Sequence, residues 1–172
     1  MKDAPRAVDA VLGGWTLSGS LRYQSGAPLQ IWAINPFAGA VLGYSEYAPG
    51  VYANWNGQNP YGHTDLSSFN PATDRYLNPA AFSSPGLFTF GNTPRYMGGV
   101  TAPWLKQESL SLRKAFKLTE RLKVELGADA VNPFNIVRWG SPSTLVVDPT
   151  SFGKITSTQG ARQMQINMRV AF

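Results

Sequence analysis

The one histidine of the chain, His63, stands in the run GHTDLSS, with Asp65 two positions on and serines at 67 and 68. An imidazole, a carboxylate and a hydroxyl are the parts of a nucleophilic triad, which works only when orienter, base and nucleophile are held in line. No nucleophile-elbow pattern surrounds them, so the chain is read as having no catalytic residues and as not an enzyme. Asp65, Asn70 and Asp74 offer oxygens of the kind calcium takes, but their spacing misses the acidic-loop motif, and a solvated loop is the simpler reading. The absence of cysteine excludes disulfides, thiolate nucleophiles and cysteine-ligated metals. A single histidine excludes a multi-histidine metal centre. No metal or other cofactor is expected.

Binding chemistry is better represented. Tyr44, Tyr47, Tyr52, Trp55 and Tyr61 lie in a polar stretch rich in Gly and Asn. Aromatic rings on such a loop suit ligand capture by stacking and amphipathic contact. Packing of the loop on itself, or over the mouth of a larger structure, is the simpler account of them, with ligand capture kept open beside it. A second group, Arg22, Arg113, Lys123, Glu125, Asp129 and Arg169, consists of charges at alternate positions of strand-like segments. The net charge of +5 reflects 15 basic against 10 acidic residues. The basic run LRKAFKLTERLK (112–123) is interrupted by apolar residues and has no accompanying nucleic-acid motif. It is read as a charged hairpin tip, with no nucleic-acid partner.

These residues must be positioned by strands. The chain closes on RQMQINMRVAF, in which Met164, Ile166, Met168, Val170 and Phe172 alternate with Gln163, Gln165, Asn167, Arg169 and Ala171. Side chains along a strand point to opposite faces with period two, so this is a two-faced strand running to a terminus that would ordinarily fray. Three further segments alternate in the same way: GWTLSGSLRYQ, ESLSLRKAF and RLKVELGADA. The expected strands are 14–33, 104–117, 120–132 and 161–172, with Lys114, on an apolar face, snorkelling to water from near its strand end. Only KLTER separates Phe116 from Leu122, which predicts a tight hairpin, whereas 34–103 and 133–160 are long loops. Loops of that length usually carry function.

The expected fold is all-β: an antiparallel up-and-down meander of about four long strands, part of a large transmembrane β-barrel. Short turns at one end and long loops at the other are the asymmetry of outer-membrane barrels. No apolar stretch is long enough for a transmembrane helix, and barrel strands need none. Trp15, Phe116 and Phe172 fall at the short-turn end and Tyr23 near the other rim, as interfacial girdles require. The charged group would then form a network in the lumen. With the short-turn ends of the third and fourth strands level, Leu122 lies near Val170, Glu125 near Asn167, and Lys123 opposite Arg169. Glu125 is expected to bridge Lys123 and Arg169, with Arg113 as a further partner. Four strands are too few to close a barrel, and open edges in hydrocarbon leave backbone groups unsatisfied. The chain is expected to be the C-terminal piece of a larger barrel or one of several copies sharing one.

Three stretches resemble a known family. GGWTLSGSLRYQSGAPLQI is similar to a strand of TonB-dependent outer-membrane transporters of the Oar-like type, which carry a carboxypeptidase-regulatory-like N-terminal domain. The block from YLNPAAF through FGNTPRY to VNPFN, and the finish SFGKITSTQGARQMQINMRVAF, resemble later parts of the same family. The matches cover 13–28, 76–135 and 151–172. The sequence departs from the family pattern at Ala130, Val131 and Pro133, and 34–75 matches none of it. The resemblance implies a barrel of about 22 strands, of which this chain supplies about the last four. It places the plug domain and the segment that meets the energy transducer N-terminal to this chain, so the chain alone is not expected to transport. It further implies residence in the outer membrane, contact with its lipid and with the remainder of the barrel and plug, and uptake of an unknown ligand. Phe172 becomes the signal read by the barrel-assembly machinery. The rival expectation is a soluble or surface-attached β-rich module that uses the Tyr/Trp loop to bind glycans or a protein.

Overall fold

The computed structural model describes residues 11–34 and 51–172. Ten strands occur among them. They are β1 (Trp15–Gln24), β2 (Trp32–Ala33), β3 (Val51–Tyr52), β4 (Asn54–Trp55), β5 (Phe82–Ser83), β6 (Leu105–Lys117), β7 (Lys123–Val131), β8 (Arg138–Trp139), β9 (Thr158–Gln159) and β10 (Gln163–Ala171). The chain divides into two compact units. One holds Met1–Gln24, Leu105–Arg138 and Gly160–Phe172, and the other Ser25–Trp104 and Trp139–Gln159.

The first unit is a four-stranded sheet in the order β1-β6-β7-β10, antiparallel throughout. Its register shows why each strand alternates. Leu17 faces Leu112, Leu112 faces Ala128, and Ala128 faces Ile166, forming one apolar row across all four strands. Residues directly opposite share a face, so the neighbouring row of Ser18, Ser111, Asp129 and Gln165 is polar. The apolar rows have no layer packed on them. Leu17, Ile166 and Met168 remain 71%, 86% and 68% exposed. A soluble sheet would bury this face, whereas a sheet solvated by lipid does not need to.

Three charges of β6 fall on the apolar face: Lys106, opposite Tyr23 near the loop end, is exposed, while Glu108 and Lys114 are covered. Lys114 does not snorkel to water as its strand-end position suggests. Its ammonium donates to the carbonyls of Gly13 and of Val11, the latter at 3.2 Å. It also sits 5.1 and 5.3 Å from the ring centres of Trp15 and Phe116, where the ring quadrupole attracts a cation. Glu108 is wholly buried against Arg138, 3.3 Å away. Charges on a lipid-facing surface are expected to be paired in this way.

The first strand stops at Gln24 and does not continue to 33. Gly26 passes so close to the Ala102 carbonyl that a Cβ would not fit. Pro28, which has no N–H for a ladder, makes only an isolated bridge to Thr101. The chain therefore leaves the sheet at Ser25. The third long strand starts at Lys123, not at 120, because Leu118 and Thr119 N–H groups both donate to Leu122 O and the Thr119 hydroxyl accepts from Leu122 N. The strand register also differs from the expected one. Arg169 faces Glu125, Asn167 faces Gly127, and Lys123 faces Ala171, a shift of two residues that keeps the faces and changes the charge partners. Phe172 follows the last strand residue and is fully exposed.

The second unit contains the hydrophobic core that the sheet lacks. Ile31, Val51, Ala53, Leu77, Phe82, Val100, Phe152 and Ile155 are among its buried members. The stretches quoted above as family-like contribute much of this core, with Val51, Ala53 and Phe69 added from 34–75. Asn78 caps the short 3-10 helix Pro79–Ala81 by accepting from Ala80 N, which turns Phe82 inward onto Phe152, 5.7 Å away edge to face. Gly153 O accepts Tyr76 N at 2.7 Å. In FGN, Gly91 runs so close to the carbonyls of Tyr52 and Ala53 that no side chain fits. Asn92 then stands in for a missing strand, accepting from Trp55 N at 2.7 Å and donating to Trp55 O at 2.9 Å.

A charge at the centre of the apolar face gives a direct check. Ile166→Arg should destabilise the membrane-embedded protein by about 2–4 kcal/mol, while Gln165→Arg, one residue away on the polar face, should change it little. Urea unfolding in lipid vesicles measures both, and equal effects would contradict the assignment of faces.

Candidate functional site

Two arrangements of side chains emerge, one in each unit. On the polar face of the sheet, Arg113 reaches across β7. Its Nη2 donates to Asp129 Oδ1 at 3.0 Å and Oδ2 at 3.1 Å, and its Nη1 to Asn167 Oδ1 at 2.7 Å. Ser111 Oγ and Asn167 Nδ2 complete the Asp129 carboxylate, each at 2.6 Å. The network joins three strands and passes over Gly127, where a Cβ would collide with Asn167 Oδ1 and the guanidinium. The bareness of Gly127 is what allows the guanidinium to lie flat on the sheet.

The sequence picked out Arg113 and Asp129 but assigned them different partners. Glu125 makes no hydrogen bond or ion pair with Arg113, Lys123 or Arg169 among the described residues, so the expected bridge is not formed. Arg113 stands opposite Gly127 with Glu125 and Asp129 both on the diagonal, and its guanidinium turns to Asp129, where Ser111 and Asn167 share the carboxylate. Arg22 instead donates to Gln24 Oε1 at 2.7 Å. Ser111 and Asn167 were missed; the signal that could have found Asn167 was Gly127, which stands between it and Arg113 in one polar row.

In the second unit, Tyr52 does not join Trp55 and Tyr61. Tyr44 and Tyr47 lie outside the described residues. Tyr52 stacks on Trp32, with centroids 4.9 Å apart and planes at 24°, which is internal packing. Trp55 and Tyr61 line a cleft together with Asn59, Pro60, Pro94 and 97–100. Its volume is about 420 Å³, inside the range of roughly 300–1,000 Å³ common for ligand sites. Hydrogen bonds fix its walls: Trp55 Nε1 donates to Gln58 O at 2.8 Å, and Tyr61 OH donates to Gly99 O at 2.6 Å while accepting from Thr101 N at 2.8 Å. Beside it, Tyr76 is buried and its hydroxyl pKa is pushed up to about 12 by desolvation.

His63 meets a different acid from its sequence neighbour. Its Nδ1 is 2.8 Å from Asp74 Oδ2 and its Nε2 is 3.1 Å from Ser68 Oγ. The order Ser–His–Asp is that of a triad. However, the Ser68 hydroxyl also points to Asp65 Oδ2 at 3.0 Å, and its N–H is spent on Asp65 O at 3.3 Å. A hydroxyl whose proton goes to a carboxylate is not delivered to an imidazole. The Ser67 hydroxyl, with Ser67 N and Ser68, holds the Asp65 carboxyl below its usual range, and Asn70 N does the same for Asp74. Asp65, Asn70 and Asp74 thus serve turns, and no group of three or more His, Asp or Glu side chains converges as a metal site among the described residues.

The comparison with known families agrees with the sheet. The family model described as an outer membrane beta barrel domain matches residues 1–165. The chain belongs to that family and resides in the outer membrane of a Gram-negative bacterium. Comparison with curated proteins and with solved structures returned no match.

Two outcomes are expected. Gly127→Ala and Arg113→Ala should each weaken the sheet modestly, and the double variant should fall short of additivity by ~0.5 kcal/mol or more, because both act through one network. Urea unfolding in detergent measures this. The second concerns Asp148, whose pKa is drawn down to about 2 by the Ser151 and Thr150 hydroxyls and the backbone N–H groups beside them. A carboxylate with a depressed folded pKa adds stability above its unfolded pKa, and the gain is lost as pH falls through the folded one. Asp148→Asn should therefore be less stable than the parent at neutral pH, and the gap should close between about pH 4 and pH 2. Tryptophan fluorescence during thermal unfolding across that range checks it.

Proposed function

We propose that this chain is the C-terminal barrel segment of a TonB-dependent outer-membrane receptor and takes part in uptake of a ligand across the outer membrane. The observation that carries the reading is the contrast between the two units. The sheet exposes an apolar face and, among the described residues, leaves β1 and β10 paired on one side only, so hydrocarbon would strand their outer backbone groups. Further strands from the same receptor complete it. The long connections are not slack: they fold around their own core and present a preformed cleft, as a ligand-gathering surface on the extracellular side requires. The Oar-like motifs support the finer assignment, since they fall in the core of that unit and at the strand ends.

In this reading the polar face of the sheet lines the lumen beside a plug, and Phe172 is read during assembly by the barrel-assembly machinery. Energy comes from a TonB-type transducer that engages the receptor elsewhere, and the chain carries no catalysis of its own. The test uses the intact gene product. Detergent-solubilised outer membrane passed over the immobilised periplasmic domain of the host's energy transducer should retain the receptor. A barrel of complete strand number that lacks a plug and is not retained would contradict the assignment.

A further inference from the structure

We propose that the cleft between Trp55 and Gly98 binds a peptide by one uncharged aromatic side chain, with the peptide carbonyl beside that side chain accepting from Asn59 Nδ2. The proposal rests on the receptor reading, where a ligand is required, and it names the ligand class.

The argument begins with charge. No charged side chain lines the cleft, so an anionic or cationic group entering it would lose hydration without a counter-charge. The hydrogen-bonding inventory then separates sugars from peptides. Trp55 Nε1 is committed to Gln58 O, and Tyr61 OH is committed both as donor and as acceptor. Asn59 Oδ1 accepts from Tyr61 N at 3.0 Å and Asn59 O from Asn78 Nδ2 at 3.0 Å. Of the lining side chains, the Asn59 Nδ2 group keeps its donors free among the described residues. A pyranose ring brings several hydroxyls, and most would be desolvated here with no partner, each at a cost of about 1–3 kcal/mol. A peptide needs little more than a slot for a ring and one donor for a carbonyl.

The walls meet those needs. Trp55, Pro60, Tyr61 and Pro94 offer rigid apolar and aromatic surfaces, and Met97 a polarisable thioether suited to ring contacts. The walls are fixed before any ligand arrives, because Asn92 clamps the Trp55 backbone and the Tyr61 hydroxyl ties the two stretches of the cleft together. Preformed walls reduce the ordering cost of binding. Gly98 adds a separate indication. Its φ is not in the left-handed region, and a Cβ there would meet nothing. Neither backbone conformation nor internal packing demands glycine at 98, and a bulky side chain added at this lining position has open space to occupy at the cleft.

The experiment measures equilibrium binding to the full-length receptor in detergent, without energised uptake, so that its outcome is independent of the transducer test. The probes are acetylated, amidated Ala-Trp-Ala, the same peptide with Ala in place of Trp, and the neutral sugar maltotriose. Ala-Trp-Ala should bind and the other two should not. Trp55→Ala should weaken binding about tenfold or more. Gly98→Leu, which the fold accommodates, should abolish binding while leaving the thermal transition in place. Failure of Ala-Trp-Ala to bind at millimolar concentration would overturn the proposal, as would binding that neither variant affects. Maltotriose binding lost in both variants would replace the peptide with a glycan and would equally overturn it.

Discussion

In hydrocarbon no water completes a broken hydrogen bond, and that constraint governs every feature of the sheet. A backbone amide in lipid must find its partner within the protein, which here means the antiparallel ladders of β1, β6, β7 and β10. Those ladders leave side chains free to be apolar on one face and polar on the other without forming a core. This explains why a sheet with such exposed leucines, isoleucine and methionines is not a misfolded soluble domain. It also explains why Lys114 and Glu108 on the apolar face are covered, one by carbonyls and rings and the other by a buried guanidinium.

With no core to define it, the sheet needs another source of register. A slip of one residue would exchange its faces, and lipid forbids that. A slip of two keeps the faces, so only polar specificity resists it. Arg113, Asp129, Ser111 and Asn167 supply that specificity, because their bonds close only when Gly127 lies beneath the guanidinium. The long connections obey the opposite rule. In water they can be stable only by burying apolar surface, and they do so around Leu77, Phe152 and Ile155. One chain thus contains two solutions to folding in two solvents.

How much of this the sequence reveals follows the same division. The strands are legible because period-two alternation is a strong local signal, and Leu17, Leu112, Ala128 and Ile166 could be assigned to one face before their alignment was known. The register was not legible. The miss fell between β7 and β10, where the long connection from Val131 to Gln163 does not state which residues pair. The loop unit was the largest surprise. Its core residues are spaced irregularly among two-residue strands and turns, so no period announces them. The motifs NPAAF, FGN and FGKI look like family marks and prove to be physical devices: a cap, a stand-in strand and a pair of core anchors. Of the aromatics, only geometry could separate Tyr52, which stacks on Trp32, from Trp55 and Tyr61, which line the cleft.

The most direct test of the account reads the two faces of β10 in the membrane. The protein has no cysteine, so single cysteines can be placed from 163 to 171 in the outer-membrane-embedded protein and probed with a water-soluble thiol reagent. The account predicts alternation, with 164, 166, 168 and 170 protected by lipid and 163, 165, 167 and 169 reactive through the aqueous lumen. Uniform reactivity along the strand, or the inverse pattern, would contradict it.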